Sequence, residues 1–429
     1  MAIQPLSLAT RDDAARSRPL KLLIAIPALN EEQSIESIVS RALEARAAIT
    51  AMSPVTDVQV TVVSDGSTDR TVERARRFGD QITLIVFEQN RGYGAAIKAA
   101  WAASDADLLG FLDADGTCDP RLFGHFCDVL VRERADIVLG SRLNRDSQMP
   151  AVRRIGNLLF ASALSLVSST VVRDTASGMR VVRRSILPRL FPLPDGLHFT
   201  PAMSARAVLS GAVKVVEVPM PYHERAGESK LRVGKDGVRF LRAILDATFL
   251  FRPSRPLELL GLAAVAAATG LMIGPGLYYL QHRSLLEWMI YRFIVANLLF
   301  ATGGLLLSAG YVTSRVVDIT MRRRPTRAHR AVSAMLAHRW FWGLPAALVT
   351  IGAILVWPSF LERVTTGSTY EHWSRFVAMA VLAELAVILS VTKLFDYTLD
   401  LLAGQLRFAE SAEAHALESA AADELFPTR

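Results

Sequence analysis

Two carboxylates one residue apart, Asp113 and Asp115 in Asp113-Ala114-Asp115-Gly116, close the apolar run 108–112. That run reads as a buried parallel strand, so the pair would emerge at its carboxyl end. Alternate strand residues share a face, and two such carboxylates can converge on a hard divalent cation. A cation held there neutralises phosphate groups. Paired aspartates in a turn are common, and the motif by itself says little; its weight comes from the segments around it.

The elements that must position the pair are short aliphatic runs alternating with helical patterns. Strands are predicted at 20–26, 58–63, 82–87, 108–112, 137–139 and 213–218, with helices starting near Glu31, Asp69, Tyr93 and Pro120. Such alternation predicts βαβ units and a mostly parallel sheet, whose ligands sit beyond the carboxyl ends of the strands. Three further segments fall at such ends. Ile26-Pro27-Ala28-Leu29-Asn30-Glu31-Glu32 follows the first strand, with Pro27 stiffening the exit and Asn30 capping an acidic first helical turn. Ser64-Asp65-Gly66-Ser67-Thr68-Asp69 follows the second, where Asp65 can accept hydrogen bonds from a base or ribose. Asn90-Arg91-Gly92-Tyr93-Gly94-Ala95-Ala96 opens a helix whose amides can approach a phosphate or ribose.

In this order and spacing the four segments, within about the first 230 residues, resemble family 2 glycosyltransferases. The resemblance implies a GT-A-like α/β nucleotide-sugar-binding domain over 19–232 and a donor that is a UDP- or GDP-linked sugar. It also implies Mg²⁺ or Mn²⁺ at Asp113 and Asp115, and inversion at the anomeric carbon. Donor-binding positions carried over are Pro27, Asn30, Glu31, Asp65, Gly92, Asp113, Ala114 and Asp115. Ser64 departs from the pattern, where a second Asp is usual, so base recognition falls more heavily on Asp65. Asp174-Thr175-Ala176-Ser177-Gly178-Met179-Arg180 resembles the family's D-x-x-x-G-[FM] segment, which makes Asp174 a catalytic candidate near the acceptor.

The acceptor is argued separately. Arg142 follows a strand, and Arg153 and Arg154 open the apolar segment 155–172, which is too short to span a bilayer. Guanidinium forks match phosphate oxygens, and an apolar helix can rest in the interface. The helix from Phe199 to Leu209 contains no Asp or Glu, although Asp195 lies just upstream. A sugar hydroxyl needs a base, whereas a phosphate monoester, with a second pKa of about 6, arrives largely as an anion. Arg225, Ser229 and Lys230 stand in an R-x-G-x-S-K-L segment that resembles polyprenyl-phosphate sugar transferases of the dolichyl-phosphate mannose synthase kind. Val238, Leu241, Leu245 and Phe249 then recur at helical spacing beside Lys235, Arg239 and Arg242, predicting a juxtamembrane amphipathic helix over 233–255.

Hydrophobic residues make up 51% of the 429. Four transmembrane helices are predicted near 256–280, 288–312, 341–360 and 375–396, the last resting on the shortest apolar run, 376–391, since a span needs roughly 20 apolar residues. The net charge of +7 is concentrated before the first span and between the second and third. By the positive-inside rule the catalytic domain, the 313–340 segment and the 397–429 tail are cytoplasmic, in a plasma membrane of bacterial type. Basic runs that flank spans do not indicate nucleic acid. Residues 1–18 are read as a flexible terminus without a signal peptide, and Cys118 and Cys127 as plain reduced thiols. Intramembrane Glu384 is read as a helix–helix contact.

The expected function is therefore metal-dependent, inverting hexosyl transfer from a nucleoside-diphosphate sugar to a polyprenyl phosphate. The alternatives are a processive polysaccharide synthase, a glycolipid synthase using a hydroxyl acceptor, and a transporter with a nucleotide-sugar sensor. Four spans and the lack of a Q-x-x-R-W segment count against the first. Related enzymes with few spans often assemble, so a homo-oligomer is compatible with the sequence.

Overall fold

The computed structural model describes residues 19–143, 147, 149, 151–168, 172–222, 233–367 and 372–425, with backbone alone at 151–153, 233, 410 and 413–425. The chain divides into two compact units, the first ending at Phe251 and the second starting at Arg252.

The first unit is built on a seven-stranded sheet. Its strands are β1 (Leu20–Ala28), β2 (Val55–Asp65), β3 (Thr83–Phe87), β4 (Leu108–Phe111), β5 (Ile137–Ser141), β6 (Arg180–Arg183) and β7 (Val215–Pro219). The order is β3-β2-β1-β4-β6-β5-β7, and β6 alone runs antiparallel, between β4 and β5. The helices are α1 (Ile35–Met52), α2 (Thr71–Arg76), α3 (Tyr93–Ala102), α4 (Leu122–Arg132), α5 (Ala151–Val167), α6 (Phe199–Ser210) and α7 (Val233–Phe251).

Side-chain alternation along β1 explains the layering. Leu22, Ile24 and Ile26 pack with Ile35, Ile38, Phe123 and Phe126 on one face. Leu23 and Ala25 pack with Ile97, Trp101, Phe111 and Phe199 on the other. Trp101, Phe111 and Phe199 form a tilted aromatic triad with centroids 5.7–6.1 Å apart. Both cysteines are free and buried, and burial pushes each thiol up to about 12.

The strand expected at 213–218 is β7, while β6 had no counterpart in the sequence reading. Asn30 does not cap α1. Its backbone is left-handed (φ 50°), its side chain accepts from the Thr68 amide at 2.8 Å, and Ser34 stands at the cap position. Asp69 accepts from Thr71 N and Glu32 N at 2.9 and 3.1 Å and so ties the loops after β1 and β2 together.

The second unit is helical: α8 (Ser254–His282), α9 (Ile290–Thr320), α10 (Arg327–Ala337), α11 (Gly343–Thr366) and α12 (Ser374–Leu425). Among the described residues four helices are long and apolar enough to cross a membrane, at Ser254–His282, Glu287–Thr320, Arg339–Thr366 and Ser374–Ala409. The fourth is not the shortest. Lys393, Asp396 and Asp400 interrupt the apolar run in sequence, yet the helix continues past them because each finds a partner. Lys393 donates to Leu336 O, Asp396 accepts from Tyr311 at 2.7 Å, and Asp400 pairs with Arg315. Glu384 accepts from Asn297 Nδ2 at 3.3 Å, a contact between α9 and α12.

Candidate active site

β1, β2, β4 and β5 end on the same edge of the sheet because they run parallel. A cavity of about 470 Å³ lies there, lined from the first unit alone. Asp113 and Asp115 both line it. They stand in the turn after β4, which stops at Phe111, not at alternating strand positions. Each is positioned by its own contacts. Asp113 Oδ1 accepts from the Tyr93 hydroxyl at 2.7 Å. Gly178 backs onto the same carboxylate so closely that a Cβ there would lie 2.1 Å from Oδ2. Asp115 is 4% exposed and accepts from Thr117 Oγ1 at 2.7 Å and Thr117 N at 3.2 Å. Arg41 of α1 holds the turn through Cys118 O at 3.1 Å and Gly116 O at 3.4 Å. Two carboxylates form an oxygen donor set that suits Mg²⁺ or Mn²⁺, with further ligands left to phosphate or water. No cluster of three or more metal-ligating side chains occurs among the described residues.

The glycine turn behaves differently from expectation. The Arg91 amide donates to Asp65 Oδ1 at 2.6 Å and the Gly92 amide to Oδ2 at 2.9 Å. The Gly94 and Ala95 amides both reach Asp195 O, at 2.6 and 3.1 Å. These N-terminal amides of α3 are thus consumed within the protein and do not form a phosphate cradle. Gly92 is required for another reason: its φ is +108°, and a Cβ would meet Asp195 O at 2.4 Å. Pro27, Glu31, Asp65, Gly92 and Ala114 line the cavity, while Asn30 and Ser64 do not. Ser64 is fully buried against Ser67, at 3.0 Å between hydroxyls.

Arg142 lines the cavity, its guanidinium 5.5 Å from the Tyr222 ring centroid. Asp174 has no exposed surface and does not line it. Its carboxylate accepts from Arg142 Nε and Nη2, both at 2.8 Å, from Arg142 N at 2.9 Å and from Asn157 Nδ2 at 2.9 Å. With its acceptor sites filled, Asp174 is a residue that holds Arg142, not one that touches an acceptor. Burial opposes both charges. The pairing outweighs it, holding Arg142 above the usual arginine range and Asp174 below the usual carboxylate range. Arg154 is exposed and off the cavity wall. The Arg153 side chain and Arg225, Ser229 and Lys230 lie outside the described residues. Asp195 pairs with Lys98 at 2.5 Å and does not line the cavity.

Phe160 of α5 and Phe240 of α7 also line the cavity, with ring centroids 5.7 Å apart. Away from it, α5 exposes Ile155, Leu158, Leu159 and Leu166, and α7 exposes Val238, Leu241, Leu245 and Phe249.

A family model described as Glycosyl transferase family 2 matches residues 23–191. A relative from Haloferax volcanii, named dolichyl-phosphate hexose transferase, is 33% identical over 212 residues, 49% of this chain and 86% of the relative. The chain belongs to glycosyl transferase family 2. A dodecaprenyl-phosphate galacturonate synthase from Rhizobium johnstonii is 26% identical, over 59% of this chain and 76% of that protein. Among solved structures, glucosyl-3-phosphoglycerate synthase from Mycobacterium tuberculosis matches with a TM-score of 0.41 at 20% identity, covering 58% of this chain and 86% of that one.

Several residues of this glycosyltransferase's site escaped the sequence reading. Tyr93 lay inside a motif read for its glycines, and Arg239, read as part of a basic stripe, lines the cavity beside its partner Asp236 at 3.1 Å. Asn157 was the one detectable signal, a polar residue in an apolar helical stretch. Arg180 had none. It is fully buried, donating to Ser177 O at 3.0 Å, Thr175 O at 2.7 Å and Ser204 Oγ at 2.9 Å, and burial pulls its pKa down to about 10.

Proposed function

We propose that this glycosyltransferase moves a hexosyl group, with inversion, from a UDP- or GDP-linked sugar to a polyprenyl phosphate at the cytoplasmic face of a membrane. One observation carries the reading. A single cavity is lined by Asp113 and Asp115, by the half-buried Arg142, and by aromatic rings of two helices with apolar outer faces. No carboxylate of α5, α6 or α7 lines it among the described residues, so those helices offer no carboxylate base for a hydroxyl. The names of the Haloferax and Rhizobium relatives, both lipid-phosphate sugar transferases, support the same acceptor. The charge distribution around the spans supports the cytoplasmic side.

Asp113 and Asp115 would hold Mg²⁺ or Mn²⁺, which when bound offsets the charge of the leaving diphosphate. Arg142 spends Nε and Nη2 on Asp174 and presents the rest of its guanidinium to the acceptor phosphate. Phe160 and Phe240 receive the first isoprene units, and the exposed residues of α5 and α7 rest in the lipid interface. The acceptor oxygen is already ionised, so alignment and charge balance supply most of the rate.

One observation favours a hydroxyl acceptor instead. His198, between the cavity-lining Leu197 and Thr200, is held neutral at pH 7: burial, then Arg239, lowers its pKa. Incubating membranes that contain the protein with labelled UDP-glucose, UDP-galactose, UDP-N-acetylhexosamine or GDP-mannose separates the two. Labelled, acid-labile lipid should form with one donor and only when polyprenyl phosphate is added. Label transferred only to diacylglycerol or ceramide would overturn the proposal.

A further inference from the structure

The Asn90–Ala96 turn is rich in glycine, yet the amides of Arg91, Gly92, Gly94 and Ala95 are spent on Asp65 and on Asp195 O. What the turn delivers to the cavity is the side chain of Tyr93, and that side chain has a defined target. Its hydroxyl donates to Asp113 Oδ1 at 2.7 Å while Gly178 closes off the Oδ2 side. The ring packs against the Trp101 and Phe199 core, so it cannot swing away without opening that core. Gly94 leaves no alternative path for the backbone, because a Cβ there would stand 2.2 Å from Pro194 O and 2.8 Å from the Phe199 ring.

We propose that Tyr93 is the positioning residue that sets the orientation of Asp113 for a divalent cation, so that the glycine turn serves the metal carboxylate and not the donor phosphate. A neutral phenol donating to one carboxylate oxygen fixes the rotation of the group. Second-sphere partners of this kind shift metal affinity by about 10–100-fold. The inference rests on the metal reading under the proposed function.

The test is Mn²⁺ titration of the full-length protein in detergent with UDP present, followed by electron paramagnetic resonance of free and bound Mn²⁺. The Tyr93→Phe variant keeps the ring and loses only the hydroxyl. It should bind Mn²⁺ about tenfold more weakly than the wild type while its UDP affinity in EDTA and its melting temperature stay unchanged. Equal Mn²⁺ affinity in variant and wild type would overturn the inference and leave the metal reading standing. Equal losses of Mn²⁺ and metal-free UDP binding would also overturn it, since that marks a general structural role. A wild type that binds no Mn²⁺ with UDP would remove the metal reading itself, and this inference with it.

Discussion

Arg142 and Asp174 illustrate how a charge can be kept in a poorly hydrated site. Removing one partner of a buried pair typically costs about 3–5 kcal/mol because the other charge is stranded. Asp174→Asn should therefore destabilise the catalytic unit by that order and lower transfer with it. The pH dependence follows from the depressed Asp174 carboxyl. Its stabilisation is fully present above the ordinary carboxylate range and is lost as pH falls through the lower folded value. The melting-temperature gap between wild type and Asp174→Asn should stay constant from pH 8 to 5 and shrink only below about pH 4. Arg142→Lys should raise KM for polyprenyl phosphate by about one order of magnitude with donor KM unchanged, and should also lower the melting temperature, since the ammonium cannot replace the fork that Asp174 accepts from. Asp115→Ala should abolish transfer while membrane insertion, followed by fractionation, remains normal.

At the scale of elements, α5 and α7 carry the interfacial prediction. Leu159 and Val238 are 65% and 69% exposed on apolar helix faces within a unit that buries most of its other aliphatic residues among those described. Leu159→Glu with Val238→Glu should cut transfer to long-chain acceptor in liposomes by about tenfold, leaving transfer to a short-chain acceptor in detergent nearly unchanged. The parallel strands, the α5 and α7 faces and the two carboxylates were legible because each rests on local pattern: aliphatic runs, helical spacing, acidic residues after a strand. β6 was not legible, since four residues bounded by arginines carry no strand signal, and its place is fixed by partners 41 and more positions away in β5 and β4. The fate of the α3 amides was hidden for the same reason. Asp195 O, which takes two of them, is remote in sequence, and a backbone carbonyl leaves no mark in composition. The length of α12 was hidden by Asp396 and Asp400, whose partners Tyr311 and Arg315 are equally distant.

For the whole molecule the charge bias around the spans predicts sidedness. Arg283→Cys, between α8 and α9, should react with a membrane-impermeant maleimide in intact cells, and Arg324→Cys, between α9 and α10, only after lysis. Native Cys118 and Cys127 should give no background, being buried with thiols near pH 12. The position of β6 has a consequence for synthesis from the ribosome. β1 to β4 can pair as soon as they emerge, but β5 and β7 reach that half-sheet only through β6, which is made after β5. A nascent chain halted before Arg180 would carry a closed β1–β4 half-sheet and an unpaired β5, so chaperones should hold on to translation intermediates up to that point and release them beyond it.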